Sequence, residues 1–393
     1  MTHLPRVAHF AVAPEFVDRI LLHDLRRLRA YEDITVISTE GAALEGVRRD
    51  GFRVLTVHAH RKLSPLTDIR TVVQLWRLFR RERFDLVHTY TPKAGLLGQL
   101  AALLAHVPHR IHGCRGLLYT DDLPSWKRFI FRITDRLTSG VADLTLYLSE
   151  ADRGYAVTGG LCAAQRAICI GSGIDLARYV PTDDTRRAGR ALREQLGFRP
   201  EHTVVLSVGR FVADKGYRET AAAVQRIRGE YPGLRCLWVA PVLSGEDGVL
   251  PASLATAHGL DAIVRVLGYT EDLLPALAAA DVLLHPSYRE GVPRVVMEAA
   301  AMGVPVIASD IPGCRSVLGD ATDQLFSPRD AAALEVALRW ALDHPEELAR
   351  RADSAAIRVR ARFDQEALST RVWHIHESLL AGLPATHFAA RTA

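Results

Sequence analysis

Short apolar runs alternate along most of this chain with longer stretches in which apolar residues recur every three or four positions. Runs at 6–12, 34–38, 52–57, 86–88, 110–112, 144–148 and 167–170 have the length of buried strands. Between them, 16–29 places Phe16, Ile20, Leu21, Leu25 and Leu28 on one helical face, and 69–81 and 94–105 repeat the helical period. The alternation restarts after residue 200, with strand-like runs at 204–208, 234–239, 263–266, 282–284, 304–308 and 324–326. A polar, charged stretch around 181–190 separates the two series and reads as a linker. This pattern predicts an α/β chain of two Rossmann-like, doubly wound parallel-sheet domains. Residues 1–180 would form the first and 181–364 the second. A helical stretch from 365 closes the chain, with a frayed tail over 384–393. Such sheets bind ligands outside the C-terminal ends of their strands, so the domains are expected to face each other across a cleft.

Composition narrows the picture little. The 393 residues suffice for two cores. No apolar run reaches the roughly 18 residues of a membrane span; the nearest, 94–107, contains Gln99. The first residues lack a signal-peptide layout. The five cysteines form no C-x-x-C pair, so neither zinc nor a disulfide framework is expected, and a cytoplasmic setting fits. Charge is uneven: residues 1–180 carry 25 Lys and Arg against 18 Asp and Glu, whereas 181–393 carry 24 against 27. A basic first half suits an anionic acceptor or an anionic membrane face, and equally a solvated arginine-rich surface. Lysine stands only at 62, 93, 127 and 215, which singles those positions out.

The most informative stretch runs from Ala280 to Val317. Val282 to Leu284 reads as a strand stopped by His285-Pro286, Gly291 permits a sharp turn, and Pro293 suits the first position of a helix. Residues 294–302 then read as helix, capped by Gly303. Glu290 falls on the loop and Glu298 within the helix. The free N–H groups between Gly291 and Arg294, Val292 among them, favour an anion in front of the helix. On a helix, carboxylates eight residues apart lie roughly 12 Å apart, about the span from ribose to sugar in a nucleotide-sugar. The alternative is a solvated helix glutamate and a loop charge.

Other strand ends carry polar groups. Ser207-Val-Gly209-Arg210-Phe-Val-Ala-Asp-Lys215-Gly216 puts two cations on one loop, suited to a diphosphate or simply solvated. Val266-Leu-Gly268-Tyr269-Thr-Glu-Asp272 ends another strand. In His88-Thr-Tyr-Thr91-Pro-Lys93-Ala-Gly-Leu-Leu-Gly98 the proline restricts Thr91 and opens a helix near Lys93. Trp126-Lys-Arg-Phe-Ile-Phe-Arg132 mixes aromatics and cations, as a membrane-surface helix does and as a partly buried helix also does. Gly171-Ser-Gly-Ile-Asp-Leu176 lacks the third glycine of a dinucleotide fingerprint, which disfavours a dehydrogenase.

From Ser287-Tyr-Arg through Glu290-Gly-Val-Pro-Arg-Val-Val-Met-Glu298 to Asp310-Ile-Pro-Gly-Cys-Arg, the chain resembles the E-x7-E segment of retaining glycosyltransferases of family 4, which have the GT-B fold. Within that family it looks most like the capsular and exopolysaccharide branch, whose H-T-x-T-P-K-A-G-L-L-G element is matched at 88–98. The resemblance implies that Glu290 holds the donor hexose and Glu298 the ribose. It implies that Arg210 and Lys215, beyond Gly209, neutralise the donor diphosphate, and that Gly268 and Tyr269 meet the base. Gly291, Val292, Pro293 and Arg294 would line the donor, and Thr91 and Lys93 the acceptor. Many relatives carry a first-domain histidine over the donor sugar. Here Arg115 takes its usual place and His112 lies three residues earlier, so which of the two would act catalytically stays open.

These features imply a glycosyltransferase that moves a hexose or N-acetylhexosamine from a nucleotide-sugar, most simply a UDP-sugar. The acceptor would be a glycan or a polyprenyl-diphosphate-linked sugar. Front-face displacement without a metal or cofactor is expected, and the absence of any D-x-D argues against a metal-dependent GT-A enzyme. Peripheral contact with the inner face of the cytoplasmic membrane is expected, and no nucleic-acid partner. A soluble small-molecule acceptor, a sugar-nucleotide epimerase and a nucleotide-sugar-binding protein without catalysis are the alternatives.

Overall fold

Among the described residues, thirteen strands form two wholly parallel sheets, in each of which the strand order reverses once. The computed structural model describes residues 4–60, 64–117, 124–240, 251–319 and 322–383; the expected frayed tail, 384–393, lies outside them. Contacts divide the chain into two units, residues 1–172 with 365–393, and residues 173–364.

The first unit holds β1 (Arg6–Phe10), β2 (Asp33–Ser38), β3 (Arg53–Thr56), β4 (Leu86–Tyr90), β5 (His109–Cys114), β6 (Leu144–Tyr147) and β7 (Ala167–Cys169), in the order β3-β2-β1-β4-β5-β6-β7. Strand β4 is buried on both faces, which is why it reads as a run rather than an alternation. The helices Pro65–Glu82 and Pro92–Leu104 lie against the sheet, with Leu75, Phe79 and Leu97 packed against Phe10 and Val87. Fully burying one such side chain contributes about 1.5–3 kcal/mol. Gly95 and Gly98 permit the close approach of the 92–104 helix. A Cβ on Gly95 would meet the His112 ring at 2.5 Å, and one on Gly98 would meet Thr89 at 2.6 Å. The closing helix Gln365–Leu380 belongs to this unit. It packs on the helix Leu22–Leu28, where Gln365 and Ser369 both donate to Asp24.

The second unit holds β8 (Thr203–Val208), β9 (Leu234–Val239), β10 (Val264–Leu267), β11 (Val282–His285), β12 (Val306–Ser309) and β13 (Leu325–Phe326), in the order β10-β9-β8-β11-β12-β13. Its core gathers on Trp238, fully buried, with the Tyr217 ring edge-on at 5.5 Å.

Three expectations need correction. Residues 181–190 are not a linker: Thr182 caps a helix, Asp183–Gln195, whose Gly189 sits against Ala278, and the unit boundary falls earlier, at 172/173. Its charges are a solvated helix face, with Asp183 and Arg186 paired at 2.8 Å. The 16–29 segment is not one regular α-helix, because a π-turn at Val17–Leu21 adds a residue and brings Val17 and Leu22 into the buried face. Pro293 is the N-cap, not the first helical residue: its ψ of 114° is extended, and the helix runs Arg294–Ala301.

Candidate active site

In the second unit the strand order reverses between β8 and β11, which pair directly through Val205 and Val282. Loops leaving neighbouring strands in opposite directions open a crevice at such a point. Lys215 stands on the loop after β8 and Glu290 on the loop after β11, and the switch brings them together. Lys215 Nζ donates to Glu290 Oε1 at 2.5 Å and lies 3.5 Å from Ser287 Oγ. Gly216 makes this approach possible. Its φ of +69° suits glycine, and a Cβ there would meet the Pro286 carbonyl oxygen at 2.3 Å.

His285, the last residue of β11, places Nε2 3.4 Å from the same Glu290 oxygen. Burial pushes the Glu290 carboxyl up, but the neighbouring His285 and the Lys215 ammonium outweigh it and bring the pKa down to about 2. Glu290 is therefore a carboxylate held by the Lys215 ammonium, with the His285 ring beside it. Glu290 and Lys215 stand in the sequence motifs, whereas His285 stands there only as the end of a strand.

Glu298 sits one helical turn inside the 294–301 helix in a different setting. It is 7% exposed, Arg294 Nε approaches at 3.7 Å, and Tyr179 stands beside it. Burial raises its pKa against the opposing pull of Arg294, Tyr179 and Arg178. Arg178 in turn pairs with Asp272 at 2.9 Å, on the loop that carries Gly268 and Tyr269. Tyr179 and Arg178 stand in none of these motifs: they lie more than a hundred residues from Glu298, beside the stretch read as a linker. No side chain caps the start of the helix behind Gly291, Val292 and Pro293. Arg210, beyond Gly209, is exposed on the β8 loop, and Tyr269, after the edge strand β10, is half exposed.

In the first unit the order reverses between β1 and β4. Thr91 follows β4 with φ +72° and ψ 153°, a backbone region that a threonine scarcely visits. Its carbonyl accepts the Gly95 N–H at 2.8 Å and so begins the helix. Lys93 pairs with Asp68 at 2.7 Å, a partner the sequence reading did not name. Arg115, beyond β5, lies 5.5 Å from the centres of both the Phe16 and Tyr90 rings.

His112 lies elsewhere. It is 3% exposed beneath the 92–104 helix, its Nδ1 is 3.1 Å from Thr89 Oγ1, and burial lowers its pKa to about 4. The geometry makes it an interior residue that Gly95 accommodates, so of the two first-unit candidates only Arg115 stands at the strand-end edge. Among the described residues no group of three or more His, Cys, Asp and Glu is arranged to hold a metal ion.

A family profile described as "Glycosyl transferases group 1" matches residues 190–359, and one described as "Glycosyl transferase 4-like domain" matches 17–171. The chain belongs to the group 1 glycosyltransferases. This glycosyltransferase is 26% identical over 316 residues to the Escherichia coli UDP-Gal:alpha-D-GlcNAc-diphosphoundecaprenol alpha-1,3-galactosyltransferase, covering 78% of this chain and 80% of that one. It is 24% identical to the Staphylococcus aureus capsular polysaccharide biosynthesis glycosyltransferase CapM, covering 72% of each. Anabaena HepE, solved with UDP and glucose, superposes with a TM-score of 0.80 over 96% of this chain and 100% of that one, at 20% identity. Sucrose-phosphate synthase from Thermosynechococcus elongatus gives 0.78 over 96% of this chain and all of its own, at 21% identity. The fold is GT-B, with family 4 character.

Proposed function

We propose that this glycosyltransferase moves a hexosyl or N-acetylhexosaminyl group from a UDP-sugar, with retention, to a hydroxyl of a glycan or polyprenyl-diphosphate-linked sugar. The observation that carries the reading is the Lys215–Glu290–His285 contact at the switch point of the second unit. It sets a cation for a diphosphate beside a carboxylate held ionised for sugar hydroxyls. Glu298, with Tyr179, supplies the acceptor for ribose hydroxyls. The uridine and the lipid-linked acceptor are supported by the Escherichia coli relative's activity and by the UDP held by HepE.

In this reaction the bond from the sugar's C1 to the phosphate oxygen breaks, and a bond from the acceptor oxygen to C1 forms on the same face. The acceptor proton passes to the leaving phosphate oxygen, and the nucleoside diphosphate departs. Arg210, Lys215 and the amides at the start of the 294–301 helix stabilise the charge that develops there, in place of a metal. Glu290 fixes the sugar, and Thr91, Lys93 and Arg115 present the acceptor side.

Thermal stabilisation by UDP-, GDP-, ADP- and TDP-sugars in the presence of EDTA tests the donor. A shift with UDP-sugars alone supports the reading, and a shift confined to another base replaces it. The anomeric configuration of the product, read by NMR, tests retention.

A further inference from the structure

The helix Ser125–Val141 exposes Trp126 (60%), Phe129 (64%), Ile133 (41%) and Leu137 (51%). Their spacing of three and four puts them on one stripe. Scattered exposed apolar residues are ordinary, but a continuous row led by tryptophan and phenylalanine is not. A second row starts on the helix Pro65–Glu82 with Leu66 (75%) and Ile69 (63%). The 92–104 helix packs against both, so the two rows flank it. The three helices follow β3, β4 and β5, which are parallel, so their starts share the strand-end edge that carries Thr91, Lys93 and Arg115.

Charge says what covers these rows. The 125–141 helix carries four basic residues against Asp135 alone. The acids of the 65–82 helix are already engaged inside the unit, Asp68 by Lys93 and Glu82 by Arg53 and Arg81, and its four arginines outnumber them. Two copies related by a two-fold axis would bring these like-charged faces together, which opposes self-association. A row of apolar side chains bordered by cations matches the boundary between anionic headgroups and acyl chains.

We propose that the Trp126–Leu137 stripe, with Leu66 and Ile69, is a surface that docks on an anionic lipid bilayer. The tryptophan, phenylalanine and leucine side chains enter the headgroup boundary, and Lys127 and Arg136 meet lipid phosphates. Docking there turns the strand-end edge of the first unit toward the membrane. The bilayer itself is the partner, so the inference holds for any donor sugar and needs no acceptor in the vesicle.

The test is flotation of the full chain with vesicles of phosphatidylcholine alone and of phosphatidylcholine with phosphatidylglycerol, at low and high salt. Binding is expected to the phosphatidylglycerol vesicles only, weakening as salt rises. The double variants Trp126→Ser/Phe129→Ser and Leu66→Ser/Ile69→Ser should each weaken it about tenfold or more. Lys127→Glu/Arg136→Glu should remove the preference for anionic lipid. All positions are exposed, so melting temperatures should match the wild type. Absence of binding to either vesicle, or binding that all three variants retain, overturns the proposal. So does a wild-type dimer in light scattering that the serine variants convert to a monomer, since a second copy would then cover the surface.

Discussion

Glu32 and His376 lie 344 positions apart in the chain, and His376 Nδ1 donates to Glu32 Oε1 over 2.6 Å. The carboxylate can only accept, so His376 carries a proton on Nδ1, and its Nε2 lies 3.0 Å from His88 Nδ1. Tyr90 then donates to His9 Nδ1 at 2.9 Å, and His9 Nε2 donates to the other Glu32 oxygen at 3.4 Å. Tyr90 Oη also lies 3.0 Å from His88 Nδ1, so these contacts close a ring of three imidazoles, one phenol and one carboxylate, every member at most 3% exposed. It pins the closing 365–380 helix to β1 and β4, directly below the ring on which Arg115 rests.

This ring and the separately buried His112 predict acid sensitivity. Burial lowers the pKa of His9, takes His88 further down with help from His376, His9, Arg115 and His112, and sets His112 at about 4. Between those folded values and the unfolded value near 6.5 the unfolded chain binds more protons, so stability falls as pH drops below about 6.5. For His112 alone the full effect is on the order of 3 kcal/mol. Burial raises the Glu32 carboxyl, but His376 and His9 outweigh it and hold it at about 2. Its share, present above about 4.5, is lost between there and about 2. Melting temperatures should be level from pH 8 to 7 and decline steadily in acid, with hydrogen exchange rising first over 365–380. Glu32→Gln should lower the neutral-pH melting temperature and flatten the limb between about pH 4.5 and 2, where Glu32 itself titrates; a wild-type slope over that window would exclude Glu32 as its cause.

The two glutamates of the donor site should separate on mutation. Glu298→Gln removes the charged acceptor of the ribose hydroxyls and should weaken UDP binding by roughly 1.5–3 kcal/mol. Glu290→Gln leaves the nucleotide end intact and should lower turnover by about a hundredfold or more with UDP affinity nearly unchanged. Calorimetry with UDP and initial rates with the donor sugar distinguish them. Equal, negligible effects on both would sink the assignment.

The strands, the parallel class and the E-x7-E segment were legible because each is written locally. Apolar runs bounded by Gly and Pro mark strands, and the switch point follows from the doubly wound order. What the sequence concealed are contacts between distant segments. Nothing near Tyr179 signals Glu298, nothing near Asp68 signals Lys93, and His285 reads as a strand terminus. His112 misled for the same reason: a histidine beside Gly113 and Arg115 resembles a site residue until Gly95 is seen to lie against its ring. The 183–195 helix was hidden by its charges, because a helix whose outer face is solvated gives little apolar period.

Thr91 holds a backbone conformation, φ +72°, that costs on the order of 1–3 kcal/mol for a residue with a Cβ. Such strain persists only where the surroundings enforce it, here by drawing the Thr91 carbonyl onto the Gly95 N–H. Thr91→Gly should relieve it, leaving the melting temperature unchanged or raised although a side chain is deleted. If Thr91 also meets the acceptor, as proposed, KM for the acceptor should rise while UDP binding stays the same. A fall in melting temperature comparable with an ordinary core truncation would show that the conformation is not strained.

Gly216 joins the two donor loops, and its replacement separates site assembly from fold. A Cβ there meets the Pro286 carbonyl at 2.3 Å, and φ of +69° is unfavourable for alanine, so the β8 loop must withdraw from the β11 loop. Lys215 is the next residue, and its 2.5 Å contact with Glu290 would open. Gly216→Ala should therefore lower stability by about 1–3 kcal/mol and reduce turnover well beyond that, with the Glu290 carboxyl losing the ammonium that holds it ionised. Its pKa should rise, and the acid limb of the rate profile should move to higher pH. Gly197→Ala serves as the control: φ there is +73°, and nothing lies within 4 Å of the added carbon. Similar destabilisation with wild-type turnover at Gly197, against lost turnover at Gly216, would tie the effect to the Lys215–Glu290 contact. Equal turnover in both variants would remove that contact from the mechanism.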